Sequence, residues 1–472
     1  MILARTITVQ VVGRASRRSP GRLALEPTDA GETPDVAGET PAPLPGASRA
    51  RRRRPSRAAA PGCWLTASLL AWGATAPAQD ALRDSLAGDA AAEAQRRGEM
   101  DTAYTIKQGD FRMLLTPSLE LDWNDNITIT SRGQLQDFIL EPMLGVNLSY
   151  PLTYWNVLRL NTTIGYDFYL EHPNYSGVRV FSGSMLSFDT YVKDFRINVH
   201  DRFQYTQDSA GLAAVAANGY YGGLDNFAGV SVTWDLEDVV LSLGYDHENF
   251  IASNAQFDYL NRASELLVSR AGFRFNPALT AGVEGSGSIN TYDQTGILNN
   301  SIGYSAGLYG DWHPGHYTDV QLRGGYTEYS FDQTGPVAAP ANANGWYVGL
   351  TANQDITEAI SYSVSAGHEL ILGLQANTVE DWYFRPSLNW KFMKDLTFNT
   401  AIGYENGKQL LATQTAASES YDWFWVGLGA NYGLTKKLML GLTYRLTERF
   451  SDVGSRGYAQ NIVGLRLSYL LQ

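Results

Sequence analysis

From Leu114 to the C-terminus, apolar residues fall on alternate positions in short runs. In "VGLGANYGLTKKLMLGLTYRL" (Val426–Leu446), Val426, Leu428, Ala430 and Tyr432 alternate with Gly427, Gly429, Asn431 and Gly433. After Leu434–Lys437 the pattern resumes, with Leu438, Leu440, Leu442 and Tyr444 set against Met439, Gly441, Thr443 and Arg445. Successive side chains of a strand point to opposite faces, so this stretch is a hairpin with one apolar and one small or polar face. Eighteen such segments can be placed, beginning near Leu114, Phe138, Asn156, Val178, Asp194, Phe227, Val239, Tyr259, Leu279, Ser301, Tyr317, Gly345, Ala359, Asp381, Leu396, Asp422, Leu438 and Gln460. Most run roughly 9–14 residues, enough for a tilted strand to cross a bilayer.

The connections alternate in length. "YPLTYW", "YVKDF", "DLEDV", "FNPAL", "WHPGHY", "DITEA", "MKDL" and "LTKKL" are short, whereas "NDNITITSRGQLQD", "DSAGLAAVAANGYYGGLDN", "DQTGPVAAPANANG" and "NGKQLLATQTAASES" are long and polar. Short turns on one side and long loops on the other mark an outer-membrane barrel, with the turns in the periplasm. Aromatic residues add two girdles: Trp155, Tyr191, Trp234, Phe275, Trp312, Trp390 and Tyr432 beside short turns, and Trp123, Tyr166, Tyr205, Tyr245, Tyr326 and Tyr404 near the long loops. The expected fold is therefore a single antiparallel up-and-down transmembrane β-barrel over residues 111–472. It has about eighteen strands, sixteen being the alternative count, with both termini periplasmic. Asp201 lies on the apolar register between Val199 and Phe203, where a lipid-facing carboxylate is unfavourable. A bulge, a protomer interface or a place near the rim is expected there.

The N-terminal part reads differently. Residues 1–50 are rich in Pro, Ala, Gly and Arg without periodicity, consistent with a disordered extension or a mis-assigned start. Residues 51–78 read as a signal peptide: Arg51–Arg54 and Arg57 precede the apolar "CWLTASLLAW", and Ala76 and Ala78 form a small-residue cleavage site. Cleavage near Gln79 would leave residues 79–110 as an Ala-rich, charged periplasmic lead, either helical or flexible. Cys63 is the single cysteine, so the mature chain lacks disulfides and thiolate metal sites.

Charge narrows the function classes. Residues 1–78 hold 11 Arg and 5 Asp or Glu of the chain's 36 basic and 48 acidic residues, which leaves 25 basic and 43 acidic for the mature chain. Nucleic acid is excluded as a partner on that balance. The mean hydropathy of -0.22 does not argue against a membrane, because a barrel conceals its apolar residues in alternation.

With the apolar positions set outward, Arg159, Arg196, His200, Arg202, Arg270 and Arg274 fall on the lumen face, followed by Arg323, Arg385, Lys391, Arg445 and Arg466. Inward acids are Glu120, Asp122, Glu141, Asp167, Asp246, Glu284 and Glu405. A somewhat basic wall favours anions, if these residues do more than fill and cross-link the lumen. The loop Asp208–Asn226 is the least polar, and Gly219, Gly222 and Gly223 permit it to bend inward as a constriction, with Tyr220 and Tyr221 available to stack on sugar rings. The alternative is an ordinary outer loop. Asp246-His247-Glu248 raises a rim-protease reading, and His313 and His316 a metal reading that lacks a third ligand. No catalytic residue, metal or cofactor is assigned.

At "LLTPSLELDWNDNI" (Leu114–Ile127) the chain resembles the first strand of the β-barrel porin-2 family. The resemblance implies an outer-membrane barrel linked with exopolysaccharide export systems, whose secretion components would be partners. The last strand, "NIVGLRLSYLLQ", is similar to the outer-membrane assembly signal, with Gly464, Leu467 and Tyr469 at its glycine and hydrophobic positions. The barrel assembly machinery and outer-membrane lipid are the further partners implied. The expected function is a passive, porin-like channel for polysaccharide or anionic solutes. A non-conducting structural or adhesive barrel is the alternative, and a barrel-embedded hydrolase the third.

Overall fold

The computed structural model describes residues 7–8, 68–69 and 104–472, except 154, 207–212, 217–220, 295–296, 316, 333–341, 375 and 413–417. Apart from 7–8 and 68–69, the extension, the signal segment with Ala76 and Ala78, and most of the lead lie outside the described residues.

The alternation yields eighteen strands: β1 Phe111–Asn124, β2 Asp137–Pro151, β3 Asn156–Tyr169, β4 Gly177–Val192, β5 Phe195–Thr206, β6 Gly223–Asp235, β7 Val239–Ala252, β8 Arg262–Asn276 and β9 Leu279–Tyr292. The second half comprises β10 Ser301–Gly315, β11 Thr318–Phe331, β12 Asn342–Thr357, β13 Ile360–Leu372, β14 Ala376–Met393, β15 Leu396–Ala412, β16 Ser420–Gly433, β17 Leu438–Ser451 and β18 Tyr458–Tyr469. Each strand pairs antiparallel with its sequence neighbour, and β18 closes on β1 from Ile462↔Asn124 to Ser468↔Ser118. The fold is thus a single antiparallel up-and-down transmembrane β-barrel of eighteen strands. Closure leaves no open edge, so the ladder hydrogen bonds are satisfied within the sheet, as the hydrocarbon interior demands. A short strand, Ile106–Gln108, pairs with the start of β1, so the last residues of the lead are strand and not helix. Leu115 N donates to Thr105 Oγ1 at 2.9 Å, and Thr105 Oγ1 donates to Leu471 O, which ties the lead to the closing seam.

The outer face carries the apolar half of the alternation. Leu121, Leu144, Leu243, Val283, Leu308, Leu322, Leu428, Leu442 and Leu465 are all exposed, an arrangement that suits lipid and not water. Trp155, Trp234, Phe275, Trp312, Trp390 and Tyr432 project from the outer face near the turn end. Tyr245, Tyr326 and Tyr404 do so near the loop end, joined by Trp346 and Trp382. Tyr191 is a correction to this girdle. It pairs with Arg196, which bonds Asp189, and so belongs to the lumen face. Alternation from the exposed Leu186 already turns Ser187, Asp189 and Tyr191 inward; the register shift between Val180 and Ser184 moves the ladder by two residues and leaves that parity unchanged.

Asp201 does face outward, and its carboxylate accepts a 2.5 Å hydrogen bond from Asn226 Nδ2 on β6. The shifted segment of β4 lies opposite Phe203 and Tyr205, close to this polar pair. Near the loop end His368 is stacked between Trp346 and Trp382, with ring centroids at 4.0 and 4.5 Å, and is thereby screened from its surroundings.

Candidate functional site

An eighteen-stranded barrel is wide enough for an aqueous lumen, so the inward side chains decide what it can do. Alternation brings charges of both signs onto that face. Arg159 donates to Asp189 at 3.1 Å, and Arg196 reaches the same carboxylate at 3.3 Å. His200 lies 2.8 Å from both Asn198 and Asp246, while Arg202 lies 3.9 Å from Asp246 and over the Phe227 ring. Arg270 donates to Glu284 at 3.1 Å and lies over Tyr309. Arg385 donates to Glu405 at 3.0 Å and lies over Tyr383. Arg466 donates to Glu120 at 2.8 Å. Arg323 lies across Gly349, where a Cβ would meet its Nε at 2.7 Å. Arg445 is buried against Trp423 and Trp425. Arg274 pairs with Asp235 at the exposed turn end, where Lys391 is exposed too.

Several members of this wall were not singled out from the sequence. Arg179 lies 3.6 Å from both Glu141 and Asp167, and Arg262 bonds Glu248 at 2.5 Å. Asp189, Asp225 and Asp381 are further buried inward acids. Parity offered a signal for them, since Arg262 shares the face of Arg270, and Asp225 that of Phe227. The lumen is consequently an ion-paired lattice and not a row of bare cations. The guanidiniums of Arg179, Arg202, Arg262, Arg270 and Arg385 each have both a carboxylate and an aromatic ring as neighbours.

The described residues of the connection between β5 and β6, 213–216 and 221–222, pack against inward-facing side chains of the wall. Of the residues singled out there, Gly219 and Tyr220 lie outside the described residues, whereas Tyr221, Gly222 and Gly223 are described. Tyr221 is buried against Phe250 and edge-on to Phe257 at 5.1 Å, so burial holds its phenol well above the usual value and neutral. Gly222 O accepts from Ser253 N at 2.8 Å. A side chain at Gly223 would run into the β7 backbone, 2.2 Å from Ile251 O. Val215 and Ala216 join an apolar cluster with Phe227, Leu266, Tyr292, Tyr329, Leu370 and Tyr458, which draws on walls from β6 round to β18.

Ala213 packs instead with Tyr421, Trp423 and Trp425 of β16. Its carbonyl accepts from Arg449 Nε at 2.7 Å, and the Ala214 carbonyl accepts from Arg456 Nη2 at 3.0 Å. Both arginines converge on Glu419, at 2.7 and 2.8 Å, which also accepts from Ser451 at 2.6 Å. Burial pushes the Glu419 carboxyl up, but the bonds and charges of Arg449, Ser451 and Arg456 outweigh it and hold the group below its ordinary value. Residues 213 and 214 are thus fastened to β17 and to the connection that follows it. Arg449 was legible as an inward residue, four positions from Arg445, but nothing in the sequence points to Glu419.

The tip of the β13–β14 hairpin adds to the filling of the loop end. The β12–β13 ladder stops at Val348↔His368, yet β13 and β14 pair on to Leu372↔Thr378. Beyond β12 the tip is buried, with Leu370, Leu372 and Leu374 in the apolar cluster and Asn377 Oδ1 accepting from Asn299 N at 3.2 Å. Toward the turn end the inward positions of β9 and β10, including Thr280, Glu284, Ser286 and Ser305, are partly accessible. Among the described residues the inward face is thus polar and partly accessible toward the turn end, and buried with more apolar side chains toward the loop end.

Strand alternation separates the rim triplet. Asp246 and Glu248 are buried in the lumen, while His247 points outward and pairs with Glu265 at 2.9 Å. They cannot act together on one water. His313 pairs with Asp319 in the turn region, and His316 lies outside the described residues. Gly464 faces the lumen, whereas Leu467 and Tyr469 face outward at the turn end.

No protein-family model matches the chain, and no curated protein sequence matches it. Among solved structures it is similar to OpdL of Pseudomonas aeruginosa, at 14% identity over 77% of this chain and 100% of that one, with a TM-score of 0.41. OccK2 (OpdF) of Pseudomonas aeruginosa, solved in complex with glucuronate, shares 10% identity over 77% and 99% of the two chains, with a TM-score of 0.44. A BenF-like porin from Pseudomonas fluorescens Pf-5 shares 9% identity over 77% and 99%, with a TM-score of 0.43. Similarity at this level carries no argument about function, which rests on the geometry of the lumen.

Proposed function

We propose that the chain is a porin-like channel of the outer membrane of a Gram-negative cell, passive and not enzymatic, with its short turns and both barrel termini in the periplasm. The observation that supports it best is the β5–β6 connection, packed against inward-facing side chains and fastened by Arg449 and Arg456. A loop that served display would project outward. Here it narrows the passage, as a selective diffusion pore requires. Small hydrophilic solutes are the favoured cargo. Many arginines of the wall have partner carboxylates, so the anion preference of a bare basic wall is reduced to a modest one. A polysaccharide chain is the less favoured cargo, because buried apolar side chains pack the loop half. The link to exopolysaccharide secretion components has only the resemblance in β1 behind it, and recognition by the barrel assembly machinery only the last strand.

That same packing favours a second reading, a non-conducting structural barrel. Conductance in planar bilayers separates the two. A channel gives discrete steps that grow when Arg449 is replaced, whereas a structural barrel is silent in both forms.

A further inference from the structure

At the closing seam four inward carboxylates, Glu120, Asp122, Glu141 and Asp167, share two guanidiniums, Arg179 and Arg466. Glu120 and Glu141 are direct cross-strand partners, an arrangement that is unfavourable for like charges without compensation. Arg466 engages Glu120 through Oε2 alone. Glu120 Oε1 and Asp122 Oδ1 are buried and have no hydrogen-bond donor, although Glu120 is only 2% exposed. An unsatisfied buried carboxylate oxygen is costly.

These two oxygens converge. The position that a Cβ would take at Gly464 lies 2.3 Å from Asp122 Oδ1, 2.4 Å from Thr443 Oγ1 and 3.2 Å from Glu120 Oε1. Glycine thus lets these oxygens close in over the β18 backbone, where a Cβ would collide with them. Among the described residues, no three acidic or histidine side chains are grouped so as to hold a metal by themselves. The occupant must therefore accept two carboxylates, a hydroxyl and water.

We propose that this group of oxygens binds a hard divalent cation of the calcium class. Such ions take oxygen ligands at about 2.3–2.6 Å, in flexible geometry and with water completing the shell. Asp122 and Glu120 supply the charged ligands and Thr443 a neutral one, while Gly464, lacking a Cβ, lets the three oxygens converge. The site does not depend on whether the barrel conducts.

Titration of the detergent-folded, calcium-free barrel with calcium chloride in a calorimeter tests this. One saturable site is expected in the wild type. Asp122→Asn should weaken it at least tenfold, and Thr443→Val should weaken it less. Folding of each variant is checked by heat-modifiable migration on gels. If Asp122→Asn fails to fold, Thr443→Val with terbium luminescence on the wild type serves as the second measurement. Absence of saturable binding to the wild type, or equal binding by the folded variants, overturns the proposal.

Discussion

Replacing Arg449 by methionine should release the inward loop. Arg449 is 1% exposed and makes three polar contacts, to Ala213 O at 2.7 Å, Glu419 Oε1 at 2.7 Å and Arg456 O at 2.8 Å, besides lying over the Tyr421 ring. Only the first ties the loop directly. A hydrogen bond from a charged donor contributes about 1.5–3 kcal/mol. At 1.4 kcal/mol per tenfold, its loss raises the open population of the loop by about 10- to 100-fold. Arg456 still holds Ala214, so release is partial. The substitution also deprives a buried Glu419 of one partner, and breaking such a pair costs about 3–5 kcal/mol. Arg449→Met combined with Glu419→Gln should therefore be more stable than Arg449→Met alone, with the loop still released. Hydrogen exchange of a peptide covering residues 213–216 reads the first effect, and the temperature of the heat-modifiable gel shift reads the second. Unchanged exchange at 213–216 in both variants would falsify the assignment of Arg449 as the loop's fastening.

Glu419 is held below its ordinary value, so the stability it contributes is fully present above the usual carboxylate pKa and is lost as pH falls through the lowered one. Loop exchange should accelerate only on that acid side, and Glu419→Gln should remove the pH dependence. Leu442 is 53% exposed on the outer face, so Leu442→Arg should cost about 2–4 kcal/mol near the bilayer midplane, measured by urea unfolding in lipid. Arg445, inward on the same strand, is buried on two tryptophans, and Arg445→Leu should cost about 0.5–2 kcal/mol through those contacts, although its facing alone suggests tolerance. Gly464→Ala must displace Asp122 and Thr443, and overpacking of this kind costs about 1–3 kcal/mol, seen as a smaller heat-modifiable fraction after refolding. Reversal potentials should reveal at most a weak preference at low salt, and this should fade as the Debye length falls from about 30 Å at 0.01 M to about 3 Å at 1 M.

The barrel itself was largely legible because lipid imposes a strict period of two on every strand. Asn156, Val239, Leu279, Ser301, Leu396 and Leu438 begin strands as the pattern expects, and other boundaries moved by a few residues. The strand starts that moved most, Asp381 to Ala376 and Phe227 to Gly223, lie beside loop residues packed into the lumen, where the outer solvent no longer dictates the pattern. Tyr191 was misplaced because its closeness to a short turn was taken as a girdle position, whereas alternation from the outward Leu186 turns it inward. The charges of the lumen were visible one strand at a time, but their partners were not. Arg159 with Asp189, or Arg262 with Glu248, meet only once the register between strands is set. The hold of Glu419 on Arg449 and Arg456 joins two separate loops to a third, a long-range arrangement without local signature.

The central claim is a passage narrowed by a fastened loop, and single-channel recording in planar bilayers tests it most directly. The wild-type barrel should give small, discrete conductance steps, and Arg449→Met with Glu419→Gln should enlarge them. Folded, heat-modifiable protein that remains silent in both forms would contradict the account and leave a structural barrel in its place.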